Sequence, residues 1–255
     1  MRFASLGSGS KGNATLVETK NTCVMIDCGF SIKDVVRRLE CLGKSPQDLN
    51  AILVTHEHSD HWKGVIPLAQ RYFIDVFVTP GCLRAVGLDV SSYAGINLIE
   101  SDRCFDIGDL KVHPATVPHD AREPVQFLFF NANHKLGILT DLGSVPPYIS
   151  HLYGDCDGLI VDANHDINML EEGSYPRFLK DRVASAWGHL NNDQTASLVA
   201  DLDQERIQHI VIAHISQANN DLDRVKNSIQ SVYSGTGNIY YATQDEGFDW
   251  LEIST

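Results

Sequence analysis

The sequence has no apolar run approaching the roughly 18 residues that would cross a bilayer, and its opening, MRFASLGSGSKGNATLVETK, lacks a basic segment followed by an apolar core. No membrane span or export signal is expected, and the chain reads as cytoplasmic. Its cysteines, Cys23, Cys28, Cys41, Cys82, Cys104 and Cys156, include no C-x-x-C pair. That spacing excludes the usual structural zinc motif, argues against a disulfide framework, and points to reduced, buried thiols. Heptads and low-complexity stretches are missing too. Positive charge is scarce: 20 Lys and Arg face 33 Asp and Glu, for a net charge of −13. A nucleic-acid binder usually shows the opposite balance, so any role on DNA must meet that objection. Carboxylates that hold cations would account for part of the excess.

What is present is ordinary for a folded chain. Hydrophobic residues make up 43% and charged residues 21% of the 255 positions, enough for a substantial core in one large domain or two small ones. Short apolar runs alternate with amphipathic segments. The pattern predicts strands over residues 2–6, 14–19, 23–27 and 51–55, then near 76–79, 110–115, 125–130, 136–140, 158–162, 209–213 and 239–242. Helices are expected over 31–42, 64–71, 175–186, 192–202 and 220–232. Groups of strands with helices interspersed imply sheets covered by helices.

The strongest chemical signal follows the run AILVT, where a strand should end and its last side chains can turn into a loop. His56, His58, Asp60 and His61 come at once, in THEHSDH. Imidazole nitrogens suit zinc-, manganese- or iron-like ions, and carboxylate oxygens harden such a site. Four donors within six residues are as many as one tetrahedral ion takes, and their spacing lets them point in different directions and serve two. Other donors also close strand-like runs. His119 stands in ATVPHDA, Asp141 closes LGILTD and His214 closes IVIAH.

H-x-H-x-D-H followed by isolated His, Asp and His resembles the metallo-β-lactamase superfamily over nearly the whole chain. The resemblance implies a single domain over residues 1–255, an α/β fold built as a four-layer αββα sandwich with the site at one edge. It also implies two divalent metal ions, Zn2+, Mn2+ or Fe2+. His56, His58 and His119 would hold the first, Asp60, His61 and His214 the second, with Asp141 bridging them. Asp27, in VMIDCG, resembles the family's aspartate behind a histidine ligand, where a carboxylate fixes the imidazole tautomer. True β-lactamases and flavodiiron oxidoreductases have different ligands, whereas glyoxalase II enzymes share this set. WGHLNNDQTASLVADL before HIVIAHISQANN is similar to ribonuclease Z-like phosphodiesterases, with His189 at the histidine of their G-H motif.

The segments SGSKGNAT, MIDCGFS, THEHSDHWKG, HDAREPV, TDLG, ANHD, YPRFLKDR, GHL and HISQANN together resemble the YycJ (WalJ)-type nucleases, a small bacterial family associated with 5′-to-3′ DNA exonuclease activity. Two positions depart from that pattern: Gln126 stands where a glycine is expected, and Leu142 where a small or hydroxyl residue is common. The implied chemistry is in-line attack on phosphorus by a hydroxide bridging ions about 3.5 to 4 Å apart. His189 would protonate the leaving oxygen, since imidazole exchanges a proton near neutral pH. Asp60 counts with it among the catalytic groups. Substrate contacts would come from Lys11, His165, Arg177, Lys180, Arg182, Asn219 and Asn220. His113, His134, His151 and His209 read as structural. Two other functions remain open: a small-molecule hydrolase acting on a thioester or cyclic phosphodiester, and a metal-stabilised regulatory binding module. DNA is the expected partner as substrate, and no membrane or protein partner is indicated.

Overall fold

The computed structural model describes residues 1–132 and 134–254, which fall into two compact units. The first comprises Met1–Thr116, Ala121–His134 and the segment from Thr243 onward; the second comprises Val117–Asp120 and Lys135–Ala242.

In the first unit, strands β1 (Arg2–Gly7), β2 (Ala14–Glu18), β3 (Cys23–Ile26), β4 (Ala51–Leu53), β5 (Asp75–Val78) and β6 (Ile96–Leu98) form a sheet. β14 (Phe248–Glu252) lies beside β1, so the order is β14-β1-β2-β3-β4-β5-β6. Pairing is antiparallel from β14 to β3 and parallel from β3 to β6. The short loops 8–13 and 19–22 suit antiparallel neighbours, whereas each parallel pair needs a crossover. Helix α1 (Ile32–Cys41) supplies one. Ser31 caps it by accepting from the Asp34 amide at 3.2 Å, and Val35 and Leu39, one turn apart, bury its inner face. The short α2 (Ser59–Trp62), α3 (Val65–Tyr72) and α4 (Pro80–Ala85) follow. β7 (Phe105–Ile107), β8 (Leu110–Thr116) and β9 (Val125–Asn131) make an antiparallel set in the same unit.

In the second unit, β10 (His134–Leu139), β11 (Gly158–Asp162), β12 (His209–Ala213) and β13 (Asn238–Tyr241) run parallel in that order. The inner strands GLIVD and HIVIA are apolar nearly throughout because parallel strands are covered on both faces. The connections carry α5 (Pro147–Tyr153), α6 (Ile167–Glu172), α7 (Arg177–Val183), α8 (Asn192–Ala200) and α9 (Leu222–Gln230). A reciprocal capping box of Asn191 and Gln194 starts α8.

The expected strands are present within a residue or two of their bounds. The helix expected over 175–186 is shorter: Pro176 is its N-cap and Ala184 ends it. The thiols need one correction. Cys23, Cys28, Cys82 and Cys156 are buried, but Cys41 and Cys104 are exposed. Burial pushes the Cys28 and Cys156 thiols up to about 12, so both stay protonated at neutral pH.

Candidate metal centre

Each unit carries its own group of donors. In the first, β4 ends at Leu53 and the chain runs through Thr55 and His56 into α2, which bears Asp60 and His61. Two backbone bonds fix this turn: Asn13 donates to the Asp60 carbonyl at 2.8 Å and Cys28 to the His61 carbonyl at 2.7 Å. Gly29 is required here, because a Cβ would sit 1.8 Å from the Asp60 carbonyl oxygen.

Asp27 organises the donors. Only 3% exposed, its carboxylate accepts from the Thr55 amide at 2.8 Å and the Thr55 hydroxyl at 2.7 Å, and it meets His61 Nδ1 at 2.7 Å. A carboxylate only accepts, so the His61 proton sits on Nδ1 and the Nε2 lone pair is presented outward. Thr55 extends the argument to His56. Its single hydroxyl proton goes to Asp27, so its oxygen must accept from His56 Nδ1, 2.9 Å away. Again Nε2 is left as the donor atom. That atom lies 3.0 Å from His58 Nδ1, and His61 Nε2 lies 3.6 Å from an Asp60 oxygen. Converging imidazole lone pairs beside a carboxylate are the chemistry a divalent cation needs.

In the second unit the donors close strands. Asp141 follows β10 and His214 follows β12. His214 Nε2 is 3.5 Å from Asp141 Oδ1, and His189 Nδ1 is 3.7 Å from the same oxygen. Asp141, His189 and His214 each offer a ligand atom, all within 4.8 Å of one another. The His189 and His214 rings stack at 5.0 Å. His119 Nδ1 donates to the Gly188 carbonyl at 3.1 Å, which again directs Nε2 outward. Asn164 bonds the His214 carbonyl at 3.0 Å.

Asp162 was not anticipated. It ends β11 with no exposed surface, 3.1 Å from His189 Nδ1. Burial pushes its carboxyl above the usual range, while the His189 bond opposes that shift. Its sequence signal is the same as for Asp141 and His214: a polar, ligand-type residue at the end of an apolar strand.

A model of the β-lactamase superfamily domain matches residues 22–215, a span that takes in all of these donors. The chain belongs to the metallo-β-lactamase superfamily. It is 33% identical over 225 residues to Exodeoxyribonuclease WalJ of Streptococcus pneumoniae, covering 86% of this chain and 83% of that protein. It is likewise 33% identical over 241 residues to Exodeoxyribonuclease YycJ of Bacillus anthracis, covering 93% and 90%. Among solved structures, the metallo-β-lactamase fold protein YhfI of Bacillus subtilis superposes with a TM-score of 0.75 at 15% identity, covering 98% of each chain. The α/β metallo-β-lactamase fold expected from the motifs is therefore the fold of this chain, and the fold implies divalent metal ions that the donors fit.

The residues expected to contact substrate lie in varied settings. His165, just beyond β11, is 2% exposed and forms a bridge with Asn191. Arg177 pairs with Glu171 and Asp181, each at 2.9 Å, Lys180 donates to the Glu171 carbonyl, and Arg182 pairs with Asp120. Asn220 is committed to the scaffold through a reciprocal amide pair with Asn192 and a bond to the Ala163 carbonyl at 2.9 Å. Asn219 is buried, and its backbone carbonyl accepts from the Asp166 amide. Lys11 is exposed in the β1–β2 turn, its amide held by Gln244 at 2.7 Å. Of the histidines expected to be structural, His113 lies 3.3 Å from the Cys104 thiol and His209 packs on Tyr240. No described helix is long and apolar enough to cross a membrane.

Proposed function

We propose that this chain is a dinuclear metal-dependent phosphodiesterase working as a 5′-to-3′ DNA exonuclease in the cytoplasm. The observation that carries this reading is the 33% identity, over 86% of the chain, to Exodeoxyribonuclease WalJ. The two compact units act as one catalytic domain. His56, His58 and His119 would hold one ion and Asp60, His61 and His214 the other, with Asp141 as a further ligand. Bound there, zinc, manganese or iron would supply a nucleophile at neutral pH and positive charge against the phosphoryl oxygen.

The chain's own residues set the geometry. Asp27 and Thr55 lock the ring orientations of His61 and His56, and the Gly188 carbonyl does so for His119. Asp162 holds His189 through Nδ1, so that its Nε2 edge can pass a proton to the leaving 3′-oxygen. The shortage of positive charge is met locally by the ions, which is why an acidic chain can act on a polyanion.

An end-labelled DNA duplex incubated with manganese- or zinc-loaded protein tests the reading. Stepwise shortening from the 5′ end is expected, with its loss on chelation and its return when metal is restored. Intact duplex alongside rapid hydrolysis of a small thioester would overturn it.

A further inference from the structure

The second unit contains a cavity of about 400 Å3 that the metal ligands do not line. His165, Ile167, Leu170, Lys180, Ala184 and Asn191 are among its walls. His165 is the decisive residue: it is 2% exposed, and its Nδ1 has no hydrogen-bond partner among the described residues. A buried polar atom of this kind is destabilising unless something binds it. Burial, and then the nearby His189, push its pKa down to about 4, so the ring is neutral at pH 7. It therefore offers a hydrogen bond rather than a charge.

The surrounding charges cancel. Arg177, also on the cavity wall, is occupied by Glu171 and Asp181, and the last two line the same cavity. Such a site is poorly matched to a bare phosphate. Apolar surface from Ile167, Leu170 and Ala184 and a neutral ring nitrogen suit a flat heterocycle with apolar faces and a polar edge. The size falls in the range of small-molecule pockets. Phe178, next in sequence to Arg177 of the cavity wall, is 73% exposed on α7, where an aromatic face is available for stacking.

We propose that this cavity receives the base of a nucleotide in the substrate strand, with His165 Nδ1 hydrogen-bonded to the base edge. The inference rests on the nucleic-acid reading above and adds to it a subsite that grips the base rather than the backbone.

Two measurements test it, using the full metal-loaded chain and a folded Ala184→Trp variant that fills the cavity. In the first, wild-type protein digests a strand carrying one abasic nucleotide. A pause of about ten-fold or more at that nucleotide is expected, together with slowed digestion and no pause in Ala184→Trp. Equal rates at ordinary and abasic positions in the wild type would overturn the subsite and leave the nuclease reading standing. In the second, thymidine 5′-monophosphate is titrated into both proteins, with 2-deoxyribose 5-phosphate as the base-free control. Binding weakened about ten-fold in Ala184→Trp for the nucleotide, but not for the control, supports the subsite. Absent or equal nucleotide binding overturns it. Should the wild type leave DNA intact, the nuclease reading falls and the titration alone decides whether the cavity takes a nucleotide.

Discussion

Three side chains of the centre occupy left-handed backbone at strand ends: Asp27 at φ 59°, Asp141 at φ 54° and His214 at φ 54°. This region is unfavourable for most residues, though Asp and His enter it more readily than others, and it costs on the order of 1–3 kcal/mol where the surroundings impose it. The cost has a geometric return. A strand that simply continued would send successive side chains to alternate faces, whereas the reversal turns the terminal one off the end of the sheet. Asp162 reaches His189 by the same placement without the reversal. Replacing His189 by Ala, or Asp162 by Asn, should therefore lower kcat for ordinary DNA by about 10² to 10⁴, the usual worth of a positioned proton donor. For a diester with a nitrophenyl leaving group, which departs without a proton, the fall should stay under about ten-fold. Bound metal should be unchanged in both variants. Equal losses on the two substrates would remove His189 from the acid role, and lost metal would make it a ligand.

At the scale of elements, α7 stands apart: none of its seven residues, Arg177–Val183, is buried. A helix this short is not stable by itself, and with no buried residue and no side-chain N-cap bond it leans on surface ion pairs such as Arg177 with Asp181. Its amides should exchange with deuterium far faster than those of β12, whose Ile210–Ala213 run is fully enclosed. Protection of α7 equal to that of β12 would contradict this account. The same contrast explains what could be read in advance. β11 and β12 were expected over 158–162 and 209–213 and occupy those bounds, because enclosed parallel strands are written as unbroken apolar runs. β6, β7 and β14 went unread because three- to five-residue edge strands have too few positions to show a period. In the centre, donor types and strand-end positions were legible. Their orientation was not: it depends on partners such as the Gly188 carbonyl, 69 residues from His119, and backbone groups leave no mark in a sequence. Gln126, which departs from the nuclease pattern, is 1% exposed with neither amide atom bonded among the described residues.

For the whole molecule the governing number is the net charge of −13. A protein that holds DNA by six to ten phosphate contacts loses about 10³ to 10⁵ in affinity between 50 and 200 mM salt, because each contact releases a counterion. Here the basic side chains around the second unit's cavity and flanks are largely answered by acids: Arg177 by Glu171 and Asp181, Arg182 by Asp120, Arg206 by Asp157, and Arg224 by Asp166. Few are left to displace counterions along a strand. Recognition must then come from bound cations at the cleaved phosphate and from contacts to bases, neither of which depends steeply on monovalent salt. The logarithm of KM for DNA plotted against the logarithm of sodium chloride should have a slope no greater than about 2, the equivalent of two phosphates. Steady-state digestion between 50 and 200 mM salt at fixed manganese measures it, and a slope of about 6 or more would mean that an extended basic track, which these ion pairs argue against, carries the strand.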